Sequence, residues 1–177
     1  FQNSNDTGGP TGQYNYLGNL GSPRMSRIFF DRGEESQFIF TDPLDFSILT
    51  PDEVTFMNTF SPYTNLTYHK SFSNRNSEER FKSYYAVNAN SKLGFGFFVD
   101  YIYGRGMYNN QSTAMFNTGL FSSYLGDKYN MHFIFSYDNQ KFRENGGITD
   151  DRYITDPLSM AEGKKQYSST DIPTMLN

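Results

Sequence analysis

The chain has 177 residues, of which 36% are hydrophobic and 18% aromatic, with 18 Phe, 14 Tyr and no Trp. Its net charge is −4 and its pI about 5.1, with basic residues scattered, which excludes a nucleic-acid surface and an anionic-membrane patch. It has no cysteine, which excludes disulfides, thiolate catalysis, Cys-based zinc sites and a lipidated N-terminal cysteine.

The length suits one domain or part of one. The mean hydropathy of −0.67 describes a polar chain, so its greasy residues are concentrated in patches. No apolar run approaches the roughly 18 residues of a membrane-spanning helix, so a membrane crossing would have to use strands. The opening "FQNSNDTGGPTGQYNYLG" has neither a basic nor an apolar signal region, so any secretory signal is expected to have been removed.

Residues 1–61 are punctuated by the turn-formers "TGGPTG", "GSPR", "TDPLD" and "TPDE" around short apolar pieces, "RIFF", "QFIF", "DFSIL" and "VTFMNTF". Each piece could form a short strand, and each is too brief to cross a bilayer. Residues 62–139 change rhythm and divide into five alternating segments of about ten to twelve residues, separated by turn signals. The first, "YTNLTYHKSF", puts Leu66, Tyr68 and Phe72 opposite Tyr63, Asn65, Thr67, His69 and Ser71. The second, "ERFKSYYAVNAN", puts Phe81, Tyr85, Val87 and Ala89 opposite Arg80, Lys82, Asn88 and Asn90, and a tight turn at Asn90 and Ser91 follows. The third, "KLGFGFFVDYIYGRG", carries Leu93, Phe95, Phe97, Val99, Tyr101 and Tyr103 on one face. The loop "GRGMYNNQST" leads to "AMFNTGLFSSY", with Ala114, Phe116, Leu120 and Tyr124 opposite Asn117, Gly119 and Ser123. After a short turn at residues 125–128, "YNMHFIFSYD" sets Tyr129, Met131, Phe133, Phe135 and Tyr137 against Asn130, His132, Ile134, Ser136 and Asp138. Residues 140–177 lack a period-2 pattern and are expected to form one long loop, with a helical turn or two at "PLSMAEGKK".

Two features separate a membrane barrel from a soluble antiparallel sheet. Short turns after the second and fourth segments alternate with longer loops after the third and fifth, the outer-membrane barrel arrangement. Tyr129 and Tyr137 bracket Met131, Phe133 and Phe135 over roughly 26 Å of strand, or about 20 Å of height at a tilt near 40°, comparable to an outer-membrane apolar band with its aromatic girdles. Alternating aromatic strands also build soluble β-sandwiches, but strands there average about five or six residues, half the length of these segments. The expected fold is therefore an all-β, antiparallel transmembrane β-barrel.

The stretches "LGSPRMSRIFFDR", "NTFSPYTNLTYHKS", "FGFFVDYIYGRGMYNNQST", "LGDKYNMHFIFSYDN" and "ENGGITDDRYIT" together resemble the N-terminal part of the putative porin family of Bacteroidota, from about Tyr16 to Thr174. The resemblance implies an outer-membrane location and a barrel of many more strands. Five strands also fall below the eight of the smallest barrels, so the chain is expected to be a fragment, with completion by partner chains as the alternative. The expected function is passive passage of small solutes, the alternatives being a non-conducting barrel subunit of a larger outer-membrane assembly and a secreted β-sandwich binding module. The expected partners are outer-membrane lipid and other outer-membrane subunits.

No cofactor, metal site or catalytic set is expected. His69 and His132 fall on polar faces without a framing motif, and Ser136 lies roughly 13 Å along the strand from His132, too far for a direct hydrogen bond in a hydrolase. "GFGFFV" and "GRGMYN" lack the third glycine of a dinucleotide loop, and Gly94 and Gly96 read better as relief of crowding. "NSNDTGG" begins like a calcium loop but has Tyr14 where the closing Glu would sit, and Asp150 and Asp151 read as a solvated loop.

Asn88, Asn90, Asp100, Asn117, Asn130, His132, Ser136 and Asp138 are the candidate lumen-lining residues. Tyr101, Tyr103, Tyr124, Tyr129 and Tyr137 are the candidate lipid-facing girdle. Phe98, Ile102, Met115, Phe121 and Ile134 share the polar side, which calls for a cover, and residues 1–61 are expected to supply it as a plug or periplasmic cap.

Overall fold

A computed structural model describes residues 11–32, 40–44, 46–71, 77–108, 110–156 and 175. Among the described residues it is all-β apart from three turns of 3-10 helix and one short α-helix. A small hairpin pairs β1 (Tyr14–Tyr16) with β2 (Arg24–Ser26). The main sheet is an antiparallel meander of β3 (Tyr63–Lys70), β4 (Glu78–Asn88), β5 (Leu93–Arg105), β6 (Ser112–Leu125) and β7 (Asn130–Arg143), each paired with the next in sequence. Among the described residues β3 and β7 each pair on one side only.

Alternation dictates the two faces, because successive side chains of a strand point to opposite sides of its sheet. Along β6 the residues at 113, 115, 117, 119 and 121 are buried, while Phe116 and Leu120 are exposed. On β5 the buried positions are 96, 98, 102 and 104, with Phe95 and Phe97 on the exposed side. The register keeps these sets aligned: Phe97 lies opposite both Tyr85 and Leu120, and Leu120 opposite Phe135. The result is a bare apolar face and a covered mixed face.

The cover is the segment before β3, here termed the strap. Leu20 and Leu44 pack on Ile102 and Met115 with Phe46 and Ile48 alongside, and Val54 packs on Ala86, Phe98 and Phe121 with Leu49, Phe56 and Met57 alongside. Of the strap's apolar pieces, "RIFF" leads into a 3-10 turn at Phe29–Asp31, and residues 54–60 form no strand. Burial of Val54, with Phe56 and Met57 alongside, and not strand pairing, holds the second piece against the sheet, whereas Phe29 and Phe30 are exposed.

The strands outrun the expected segments at two points. β7 runs on to Arg143, so residues 140–143 leave the expected loop and pair with Ser112–Met115. Gly104 pairs with Thr113 and Arg105 with Ser112, which shortens the expected loop at residues 104–113 to 106–111. That loop is closed by the Gly106 amide donating to the Gln111 carbonyl at 2.9 Å. A single helical turn, α1 (Arg152–Thr155), stands in the region read as loop. Phe72, the calcium-like stretch "NSNDTGG", most of "QFIF" and the expected helical turn at "PLSMAEGKK" lie outside the described residues.

Candidate functional site

The covered face is ordered in transverse rows, because residues opposite one another on neighbouring strands share a level. The middle row is polar: Thr67, Lys82, Asp100, Asn117 and Asp138 follow one another across β3 to β7. The rows on either side include Ile102 with Met115 and Tyr84 with Phe98. The polar belt thus lies between two mixed rows whose central positions on β5 and β6 include Ile102, Met115 and Phe98.

A charge pair anchors the belt. Arg80 Nε donates to Asp100 Oδ1 at 3.1 Å and Nη2 to Oδ2 at 2.7 Å, a bidentate geometry, and Lys82 Nζ lies 3.6 Å from Oδ2. Arg80 is buried at 4% exposure, so the guanidinium depends on its hydrogen bonds to offset desolvation. The amide of Asn117 is buried beside this cluster, and among the described residues its Oδ1 has no hydrogen-bond partner.

Polar bonds fix the strap at both ends of the sheet. Asn19 Nδ2 donates to Thr113 Oγ1 at 2.7 Å and to the Gly104 carbonyl at 3.3 Å, and the Leu20 amide donates to Glu78 Oε1 at 2.8 Å. At the far end Asn88 Nδ2 donates to Asn58 Oδ1 at 2.9 Å and to the Thr59 carbonyl at 3.1 Å, while the Tyr84 hydroxyl donates to the Thr55 carbonyl. Arg24 holds the small hairpin, with its guanidinium 4.8 Å from the Tyr14 ring centre and 4.6 Å from that of Phe46. Between strap and belt remains a cavity of about 380 Å³, lined by Phe46 to Leu49 on the strap side and by Thr67, Lys82, Asp100 and Asn117 on the sheet side.

The bare face has the opposite character. Leu66, Phe95, Phe97, Phe116, Leu120, Met131, Phe133 and Phe135 are all exposed on it, with Leu120 at 56% and Phe135 at 55%. Phe95, Phe97, Leu120, Phe133 and Phe135 neighbour one another in the register, an exposed apolar patch of the kind that marks a contact surface. The sequence model of the putative porin family matches residues 1–177. The chain belongs to the putative porin family. No curated protein and no solved structure matches it.

The candidate lumen residues separate into four groups. Asp100 and Asn117 meet in the polar belt, opposite one another on β5 and β6. Asn88 binds the strap, and His132 packs its ring 4.8 Å from that of Phe56. Asn130, Ser136 and Asp138 lie exposed on the covered side of β7. Asn90 is placed differently from its expected position on that wall: its Oδ1 accepts the amides of Lys92 and Leu93, both at 2.8 Å, so the side chain closes the β4–β5 turn.

Four of the five candidate girdle tyrosines fall toward two rims. Tyr124 and Tyr129 stand at the short-turn end with ring centres 5.2 Å apart. There Lys92 Nζ also bridges the two short turns to Asp127 Oδ2 at 2.6 Å. Tyr101 and Tyr103 lie on the bare face toward the other end, opposite Phe116 and Ala114, whereas Tyr137, opposite Thr118, sits at mid-sheet.

Sequence reasoning missed Arg80, Asn19 and Gln111 as site residues. The signal for Arg80 was present, because the strand register puts Lys82 opposite Asp100 and leaves Arg80 one step along the same face. No local signal marked Asn19 or Gln111, since their partners, Thr113 and the Leu17 carbonyl, lie 94 residues away in each case.

Proposed function

We propose that this chain forms part of the wall of an outer-membrane β-barrel that passes small solutes. Family membership supports a porin-like role, and the two-faced meander supplies the physical basis. The observation that carries the reading is the pairing of a bare apolar face, banded by tyrosines, with an opposite face that holds a polar belt. In lipid the bare face needs no cover, and the belt would line a watery interior that replaces part of a solute's hydration.

Lipid also sets a condition on the edges. Backbone groups along β3 and β7 must be paired in a bilayer, so further strands would close the sheet on both sides. The loops at 106–111 and after Arg143 would then shape one mouth of the pore, and the short turns at 89–92 and 126–129 would face the periplasm.

A second reading has its own support. The strap seals the rows of Ile102, Met115, Phe98 and Phe121, whose exposures are 0%, 1%, 6% and 3%. A barrel filled in this way over its whole circumference would be a non-conducting subunit of a larger outer-membrane assembly. Planar-bilayer recording on purified full-length protein separates the two: discrete conductance steps support passage, and their absence supports the structural role. The soluble sandwich reading fails if the protein sediments with membranes and shows heat-modifiable mobility on gels.

A further inference from the structure

The bare face changes chemistry at its long-loop end. Followed along β6, its rows run from Tyr124, beside Leu93 and Met131, to Ala114, between Tyr103 and Lys141. Those ten residue steps, at about 3.3 Å each and a tilt near 40°, span roughly 25 Å of height, the apolar thickness of an outer membrane. The next row, Arg105, Ser112 and Arg143, therefore stands at headgroup level.

Three bases meet there. Arg105 ends β5, Lys141 and Arg143 close β7, and all three are exposed. Arg105 is distant from the other two in sequence, so bases that are scattered along the chain become a cluster only through the register. Two strand spacings, about 9.6 Å, separate the Arg105 and Arg143 backbones, and between them β6 offers only Ser112 and Ala114. Long cationic side chains thus flank a floor of small ones, onto which both guanidinium groups can turn.

Nothing neutralises the cluster. Among the described residues none of the three bases forms an ion pair. The carboxylate of the Tyr103 row, Glu79, lies 3.7 Å from Lys70 instead, and Glu144, next along the chain, stands beyond the end of β7. At the edge of a lipid face such a cluster meets the headgroup layer, where arginine binds phosphate oxygens in pairs.

We propose that Arg105, Lys141 and Arg143 hold the anionic phosphate headgroup of a membrane lipid whose acyl chains lie on the bare face. The inference rests on the reading of that face as lipid-facing and adds a headgroup site to it.

Native mass spectrometry of the full-length protein, released from neutral detergent micelles doped with one lipid at a time, tests it. Anionic phosphatidylglycerol is expected to be retained saturably, and at several-fold lower concentration than zwitterionic phosphatidylcholine. The double variant Arg105→Gln with Arg143→Gln should weaken retention about tenfold or more, the equivalent of one charge-assisted hydrogen bond. Lys141→Gln alone should weaken it several-fold. Arg27→Gln, which removes the same charge from the strap, should leave it unchanged. Heat-modifiable mobility checks that each variant folds, and Lys141→Gln carries the test if the double variant does not. The proposal is overturned by equal retention of the two lipids, by unchanged retention in the folded variants, or by an equal loss in Arg27→Gln. It is also overturned if inorganic phosphate at matched concentration displaces the lipid, since the site would then take the free ion. Sedimentation keeps the two readings distinct: a protein that stays in solution without detergent loses the lipid face and the site together, whereas one that partitions into membranes without preferring the anionic lipid loses the site alone.

Discussion

At the scale of single residues, glycine and phenylalanine interlock on the covered face. Phe98 lies over Gly119 on the next strand and Phe121 lies over Gly96, so each ring fills the space that a Cβ would occupy. A methyl group at Gly119 would stand 2.5 Å from Phe98 Cζ, and overpacking of this kind costs about 1–3 kcal/mol. Gly119→Ala is therefore expected to lower the temperature at which the heat-modifiable band converts to the unfolded one. Asp100→Asn removes a full carboxylate charge from the buried Arg80 guanidinium, and breaking a buried pair costs about 3–5 kcal/mol, so its conversion temperature should fall further. Outside the strands, Asp150 is held below the usual carboxylate range, first by the Arg152 side chain and then by the Arg152 backbone amide, both donating to it. A depressed carboxylate favours the ordered turn at pH values above its ordinary range, and loses that effect as pH falls through its lowered value. Both groups lie at the surface, so the expected readout is local: Arg152→Gln should return the Asp150 titration, followed by NMR, toward the ordinary range.

At the scale of elements, the long strands read clearly in the sequence because a period of two fits only one arrangement of faces. β5 and β6 carry it almost without interruption, and each alternation in sequence became an alternation in burial. β7 reads less clearly after Asp138, since Asn139, Gln140 and Lys141 carry no apolar signal, and only pairing with β6 extends it to Arg143. The two faces of β7 give an adjacent-residue test of the lipid reading. An arginine at the midplane of a lipid-facing strand costs about 2–4 kcal/mol. Phe135→Arg should accordingly reduce the folded, heat-modifiable fraction sharply, whereas Ser136→Arg, one residue on and facing the other way, should leave it near wild type. Equal loss in both would remove the assignment of the bare face to lipid.

At the scale of the molecule, the strap and the meander form one structure, although they differ in every local signal. The polar side of the strands contained Phe98, Ile102, Met115 and Phe121, and that mismatch alone announced a cover. Deleting residues 11–61 would open these four side chains to water, at about 1.5–3 kcal/mol for each apolar side chain fully uncovered. The expected outcome is a lower folded yield, and in the fraction that does fold a larger single-channel conductance than in the intact protein. No change in either measure would mean that the strap lies idle on the wall.

The sequence by itself determined the long strands and their two faces, because a strand's alternation is a local property of covalent geometry. It also determined that the polar side needed a cover. What covers it, and how, was decided only by tertiary structure. Asn19 finds Thr113, Gln111 finds the Leu17 carbonyl, and Leu20 and Leu44 meet Ile102 and Met115 across long stretches of chain. Such contacts leave no period in the sequence, since they arise from side-chain burial against a finished surface and not from a repeating backbone. The cavity beside Asn117 is of the same kind, a space that exists only where strap and belt fail to touch.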